Sequence, residues 1–161
     1  MTEFRKATEK DFERICKLIK SEEELYLVYP SGNYPFTVDQ VRELSRTRKE
    51  LTVAVDGDEI IGFANLYDYK PNESAFIGNV VIDQNYRGKG LGKKIVSYML
   101  NIAFDKHHLM EVRISVFSNN TPALLLYVGF GFLPYDIEER KDPQGNRVAL
   151  IHMNWRVKGS N

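Results

Sequence analysis

Residues 83–94 read DQNYRGKGLGKK, and the fold turns on what this stretch does. Gly88, Gly90 and Gly92 alternate with Arg87, Lys89, Lys93 and Lys94, after the apolar run IGNVVI (77–82) and before the apolar-periodic run IVSYMLNIAF (95–104). The first N–H groups of a helix lack intrahelical partners and carry a partial positive charge, so a helix N-terminus is an anion site. Glycines there remove side chains that would hold a phosphate off the backbone, while the basic residues add charge around it. The stretch reads as a diphosphate cradle at a strand-to-helix turn.

Downstream, Leu91, Ile95, Met99, Ile102 and Ala103 lie on one face of the longest helix, from Gly90 to about His108, where His107 and His108 suit the helix dipole. VRISVF (112–117) reads as a strand, and TPALLLYVG (121–129) as a short helix with Pro122 in its first turn. FGFLPYDIEER (130–140) and RVALIHMNW (147–155) form a final hairpin, with His152 a structural residue of its second strand. Upstream, LTVAV (51–55) and IIGFANLYDY (60–69) pair about an Asp-Gly turn. Gly78 and Asn79 interrupt the next strand, AFIGNVVI (75–82), as either a bulge or a weak spot at an edge. A short first strand and two helices capped by Thr8 and Thr37 precede these elements.

This order predicts an α/β protein with a mixed, mostly antiparallel sheet of six to seven strands flanked by helices. Only the strand, long helix, strand unit around 76–117 demands a right-handed parallel crossover. The 161 residues are expected to form one domain, 1–161. With 43% hydrophobic and 27% charged residues the composition is that of a globular chain, and 22 basic against 22 acidic residues give no reason to expect nucleic acid or membrane binding. The N-terminus has no signal-peptide core and no apolar run nears the ~20 residues of a membrane span. One cysteine, Cys16, sits on an apolar helix face as a structural thiol, and the expected location is cytoplasmic.

Phosphate motifs can be tested by spacing. A Walker A loop fails because no Ser or Thr follows Lys94, and a dinucleotide fingerprint fails because the glycines are spaced G-x-G-x-G. The pattern that fits is Arg-x-x-Gly-x-Gly, at Arg87, Gly90 and Gly92. With it the chain resembles the GCN5-related N-acetyltransferase family. A second signature of that family, Asn-x-x-Ala-x-x-Leu-Tyr-x-x-x-Gly-Phe, matches at Asn120, Ala123, Leu126, Tyr127, Gly131 and Phe132.

The resemblance implies acetyl-CoA as co-substrate, with no metal. Its contacts would fall on the backbone of Val80, Val81 and Ile82, on Arg87, Gly88, Lys89, Gly90, Leu91, Gly92 and Lys93 around the diphosphate, and on the side chain of Asn120. The pantetheine arm would pair with strand 76–82 where it splays from its neighbour. There the amide of Val81 or Ile82 would meet the thioester oxygen as negative charge develops. Tyr127 matches the family's general acid, a phenol that stays protonated at neutral pH.

No base is assigned, since Phe76 and Ser115 stand where several relatives carry a glutamate. Asp68, Glu73 and the SEEEL glutamates are unspecific candidates. Tyr26, Tyr29, Tyr34 and Tyr67 are expected around the acceptor, where aromatic walls hold an amine by apolar and cation–π contact. The function implied is transfer of acetyl from acetyl-CoA to a primary amine of a small molecule, or of a protein or peptide, by direct attack in a ternary complex. The alternative is a non-catalytic acyl-CoA binding or sensing domain. A homodimer, frequent in the family, is a further expectation.

Overall fold

The computed structural model describes residues 1–157; residues 158–161, the end of the expected domain, lie outside the described residues. Seven strands form one sheet: β1 (Thr2–Lys6), β2 (Lys49–Asp56), β3 (Glu59–Lys70), β4 (Ser74–Ile82), β5 (Glu111–Phe117), β6 (Leu133–Lys141) and β7 (Arg147–Arg156). Their spatial order is β1-β2-β3-β4-β5-β7-β6. Every neighbouring pair is antiparallel except β4 with β5, the pair joined by the long crossover.

The helices are α1 (Phe12–Cys16), α2 (Glu22–Val28), α3 (Val38–Thr47), α4 (Leu91–Asn101) and α5 (Thr121–Phe130). Apolar stripes place them on opposite faces of the sheet. Ile95, Val96 and Met99 of α4 pack with Leu66, Ala75, Ile77, Val112 and Ile114 on one face. On the other, Ile15, Leu25, Val41 and Leu44 of α1 to α3 pack with Val53, Val55, Phe63 and Val81. Cys16 is half-buried against this second core, and burial pushes its thiol up to about 11, an unreactive thiol.

Three helices, rather than the two expected, lie between β1 and β2. Helix α2 has seven residues and buries only Leu25, too little for an apolar period to declare itself. Its start is nevertheless well specified: the Ser21 side chain accepts from the Glu24 amide at 3.1 Å, and Glu22, Glu23 and Glu24 favour the positive end of the helix dipole. Thr8 does form a capping box, with Asp11, but on a short 3-10 turn ahead of α1. The long helix ends its regular part at Asn101 and continues as a wider turn over Ile102–Lys106. Beyond it His107 hydrogen-bonds Glu50 at 2.9 Å and Tyr69 at 3.1 Å, tying the helix end to β2 and β3.

The Gly78-Asn79 interruption is a bulge in a central strand. Asn65 faces Gly78 and Phe63 faces Val81, so Ala64 stands opposite two residues, Asn79 and Val80. Asn79 takes a left-handed φ of 52°, which asparagine tolerates better than most residues. Side chains alternate along a strand, so Ala75, Ile77 and Val81 would share a face if all these residues ran as a regular strand with no bulge. Instead Ala75 and Ile77 join the α4 core and Val81 the opposite one.

Candidate active site

The parallel pairing of β4 and β5 runs only from Ser74 with Glu111 to Ile77 with Ile114. Beyond it both strands continue, β4 through the bulge to Ile82 and β5 to Phe117, without pairing to each other. The sheet opens at its middle, and the backbone edge of β4 that would have met β5 faces a cavity. Two clefts occupy this opening.

The first, about 470 Å³, is lined by Val80, Val81 and Ile82 of β4, by Arg87, Gly88, Gly90, Leu91 and Gly92 of the turn, and by Asn120, Leu126 and Tyr127 of the α5 region. Gly88 and Gly90 have φ of 77° and 83°, and a Cβ on either would meet nothing within 4 Å. Glycine is thus required there by backbone conformation, and open space lies over it. The first bond of α4 runs from the Lys94 amide to the Gly90 carbonyl at 3.2 Å, so the amides of Leu91, Gly92 and Lys93 precede the helical ladder. Arg87 donates from Nε to the Ile82 carbonyl and from Nη2 to Glu24 of α2, both at 3.0 Å. Lys89 and Lys93 are exposed beside the cleft rather than in its wall, and the Lys89 ammonium lies 5.5 Å from the Tyr86 ring centroid.

The second cleft, about 280 Å³, is lined by residues of β3, β4, β5, β7 and the α2 end, and shares Leu27, Val28, Val80, Asn120 and Tyr127 with the first. The shared set places Tyr127 and Asn120 where the clefts meet. Tyr127 is 5% exposed, and its hydroxyl makes no hydrogen bond to protein among the described residues. Burial, with a smaller contribution from Tyr67, pushes that hydroxyl well above the ordinary phenol range. Asn120 precedes α5 without a side-chain capping bond, which leaves its amide for the cavity.

Of the four tyrosines expected around an acceptor, Tyr29 and Tyr67 line this second cleft. Tyr26 and Tyr34 do not: they line a separate hollow beside α2, where their hydroxyls donate to the carbonyls of Lys141 and Lys20. Between Tyr29 and Tyr67 lies Arg48, which no motif singled out. Its guanidinium stands 4.1 Å from the Tyr67 ring centroid, and Nη1 donates to Asn79 at 2.8 Å and Asn65 at 3.2 Å. Asn79 also accepts from Asn65 at 2.7 Å and donates to the Val28 carbonyl at 2.8 Å, so one cluster holds the bulge, β3 and the end of α2 together. Arg48 has no carboxylate partner among the described residues, and burial lowers its pKa from the usual arginine value.

Ser115 and His152, one at the place of the missing glutamate and one read as structural, also line this cleft. Ser115 Oγ and His152 Nδ1 are 2.7 Å apart, and His152 Nε2 lies 3.2 Å from Glu138 Oε1. Among the described residues no three His, Cys, Asp or Glu side chains gather as metal ligands, and no helix is long and apolar enough to cross a membrane.

The profile of the acetyltransferase (GNAT) family matches residues 12–132, and the chain belongs to that family. A spermine/spermidine N(1)-acetyltransferase of Bacillus subtilis (strain 168) is 32% identical over 91 residues, 52% of this chain. The match spans 59% of that relative's length. Among solved structures, yncA of Salmonella typhimurium with its cofactor acetyl-CoA superposes with a TM-score of 0.81 at 15% identity, covering 100% of this chain and 96% of the other. Mutant forms of the spermidine/spermine N-acetyltransferase SpeG of Vibrio cholerae give 0.76 at 19% identity, covering 97% and 95%. At such identities these two structures establish the seven-stranded mixed fold alone.

Proposed function

We propose that the protein is an acetyl-CoA-dependent N-acetyltransferase acting on a primary amine. The observation that carries this reading is the meeting of two clefts at Tyr127 and Asn120, one walled by a glycine turn and an open strand edge, the other by aromatic and polar side chains. Acetyl-CoA fits the first: the space over Gly88 and Gly90 suits a diphosphate, and the unpaired edge of β4 suits an amide-bearing arm. When bound, it supplies an acyl group activated as a thioester.

The chain's own residues would act as follows. Backbone amides from Gly88 to Lys93 and the Arg87 guanidinium hold the diphosphate, with Lys89 and Lys93 adding field from outside. The amides of β4 that face away from β3 hold the arm. The Asp83 amide donates to the Ile61 carbonyl of β3, so Val81, two residues back, faces β3 and Ile82 faces the opening, where its amide steadies charge at the acyl oxygen. The Asn120 amide orients the same group. Tyr127 keeps its proton at every physiological pH and donates a hydrogen bond to the departing sulfur. Since a thiol titrates near 8.5, below a buried phenol, this donation matters most while charge is developing.

The likeness to a spermine/spermidine acetyltransferase supports an amine acceptor. The charges of the acceptor cleft argue against a polycation: Arg48 and Arg140 line it, against the single carboxylate of Asp68. A small primary amine that also bears an anionic group suits this wall better. The test is thermal stability with acetyl-CoA and CoA, followed by thiol release across amines that are cationic, neutral or carboxylate-bearing. A stability shift with amine-dependent release supports the transferase, and the best amine names the acceptor class. A shift with no release from any amine would favour the sensing domain, and no shift at millimolar cofactor would refute the cradle.

A further inference from the structure

We propose that the acceptor's proton leaves through Ser115 to His152, with Glu138 holding the imidazole in place; the relay rests on the transferase reading above. An alkyl ammonium titrating near 10.4 must lose a proton to react, and the strand glutamate that several relatives would use is absent. The acceptor cleft instead contains a continuous chain of polar atoms. Ser115 on β5 and His152 on β7 face each other in register, and their side chains meet at 2.7 Å. Both line the cleft that Tyr127 closes.

Glu138 decides which imidazole nitrogen is bare. Arg140, 2.8 Å from Glu138, and His152 hold that carboxyl below the usual range, so an anion faces Nε2. An anion at 3.2 Å keeps the imidazole proton on Nε2 and leaves Nδ1 to accept from the Ser115 hydroxyl. Ser115 Oγ gives its one proton to His152 and keeps its two acceptor sites, one of which can take an amine N–H.

The proton balance is direct. The amine N–H bond breaks, its electron pair stays on nitrogen, and the proton passes to Ser115 Oγ as the serine proton passes to His152 Nδ1. The imidazolium then lies between Ser115 and Glu138, and with 20% of its side chain exposed it returns its proton to water. No covalent bond to serine forms. Around His152 the charged and titratable groups are Glu138, Arg140, Asp136 and Tyr135 from β6, Arg113 from β5, Tyr67 from β3 and Tyr127 from α5.

The experiment measures kcat against pH, with the best acceptor from the amine series, for wild type, His152→Gln, His152→Ala, Ser115→Ala and Glu138→Gln. The relay predicts an acid limb in wild type, where protonation of the relay takes up the site that must accept the amine's proton. His152→Gln loses that limb and falls about 10²–10⁴-fold, while its acetyl-CoA stability shift is kept. Added imidazole restores part of the rate of His152→Ala, which a structural role for the ring would not allow. Glu138→Gln, on an exposed edge strand, keeps the limb but moves it to lower pH, because the imidazolium loses its carboxylate; this variant serves if the histidine variants do not fold. Turnover of His152→Gln within threefold of wild type, a loss in His152→Ala that imidazole leaves untouched, or a limb unmoved in Glu138→Gln would overturn the relay alone. Wild-type protein that releases thiol with no amine would instead overturn the transferase reading, and the relay with it.

Discussion

Replacing Tyr127 by phenylalanine separates chemistry from packing more cleanly than any other single change. The ring is buried against Phe132 in the α4 core, so phenylalanine keeps the packing. The hydroxyl makes no protein hydrogen bond among the described residues, so its removal strands no partner. Stability should therefore change by less than about 0.5 kcal/mol, or about 2 °C in Tm for a chain of this size. Loss of a positioned proton donor costs about 10²–10⁴ in rate, equivalent to roughly 3–5 kcal/mol of barrier. The assay pairs thermal denaturation, with and without acetyl-CoA, with thiol release under saturating amine. Turnover within tenfold of wild type, with the cofactor-induced shift intact, would refute the donor role. Since burial raises the Tyr127 pKa, its protonated form persists as pH rises, and any alkaline loss of rate below pH 10 must come from another group.

Further predictions concern the scaffold. Asn79→Ala removes bonds to Arg48, Asn65 and the Val28 carbonyl, leaving Arg48 Nη1 only its longer bond to Asn65 and depriving the Asn65 amide of this acceptor, so denaturant unfolding should show a loss of about 2–4 kcal/mol. Gly78→Ala would set a methyl 2.5 Å from Arg48 Nη1 and 2.6 Å from the Tyr67 ring; acceptor KM should rise while acetyl-CoA binding is spared. At Glu50, burial works against ionisation, but Lys106 and His107 outweigh it and hold the folded-state pKa below its usual value. Its stabilising contribution is thus complete above the unfolded value of about 4.3 and lost as pH falls through the lower folded one. The stability gap between wild type and Glu50→Gln, measured by urea titration, should accordingly close on acidification.

How much of this was legible in the sequence follows from the range of each interaction. The glycine turn, α4 and both hairpins are local: the residues that specify them are the residues that form them, and spacing alone reveals them. The mostly antiparallel sheet and its single parallel pair followed from element order and crossover length, while the spatial order, with β7 between β5 and β6, did not. Helix α2 was hidden because one buried leucine makes no period. The Arg48 cluster joins residues 14 to 51 positions apart, and Ser115 meets His152 across 37, so no spacing rule connects them. Direction was equally illegible: Tyr26 and Tyr29 lie three residues apart at the end of one helix, yet only Tyr29 faces the acceptor cleft.

The bulge has a consequence for how such a site is inherited. Because strand faces alternate with a period of two, what opens the sheet is a count of residues more than the identity of any one. Deleting Asn79 would keep Val80 and Ile82 on the α4 side and Val81 toward α1 to α3, because the bulge already counts two residues as one, but it would remove the kink and let β4 realign along β5. Substitution at position 79 tunes the cleft; removal of one codon would erase it. In this chain the opening thus tolerates changes of side chain around it, but not a change in the number of residues between Gly78 and Ile82.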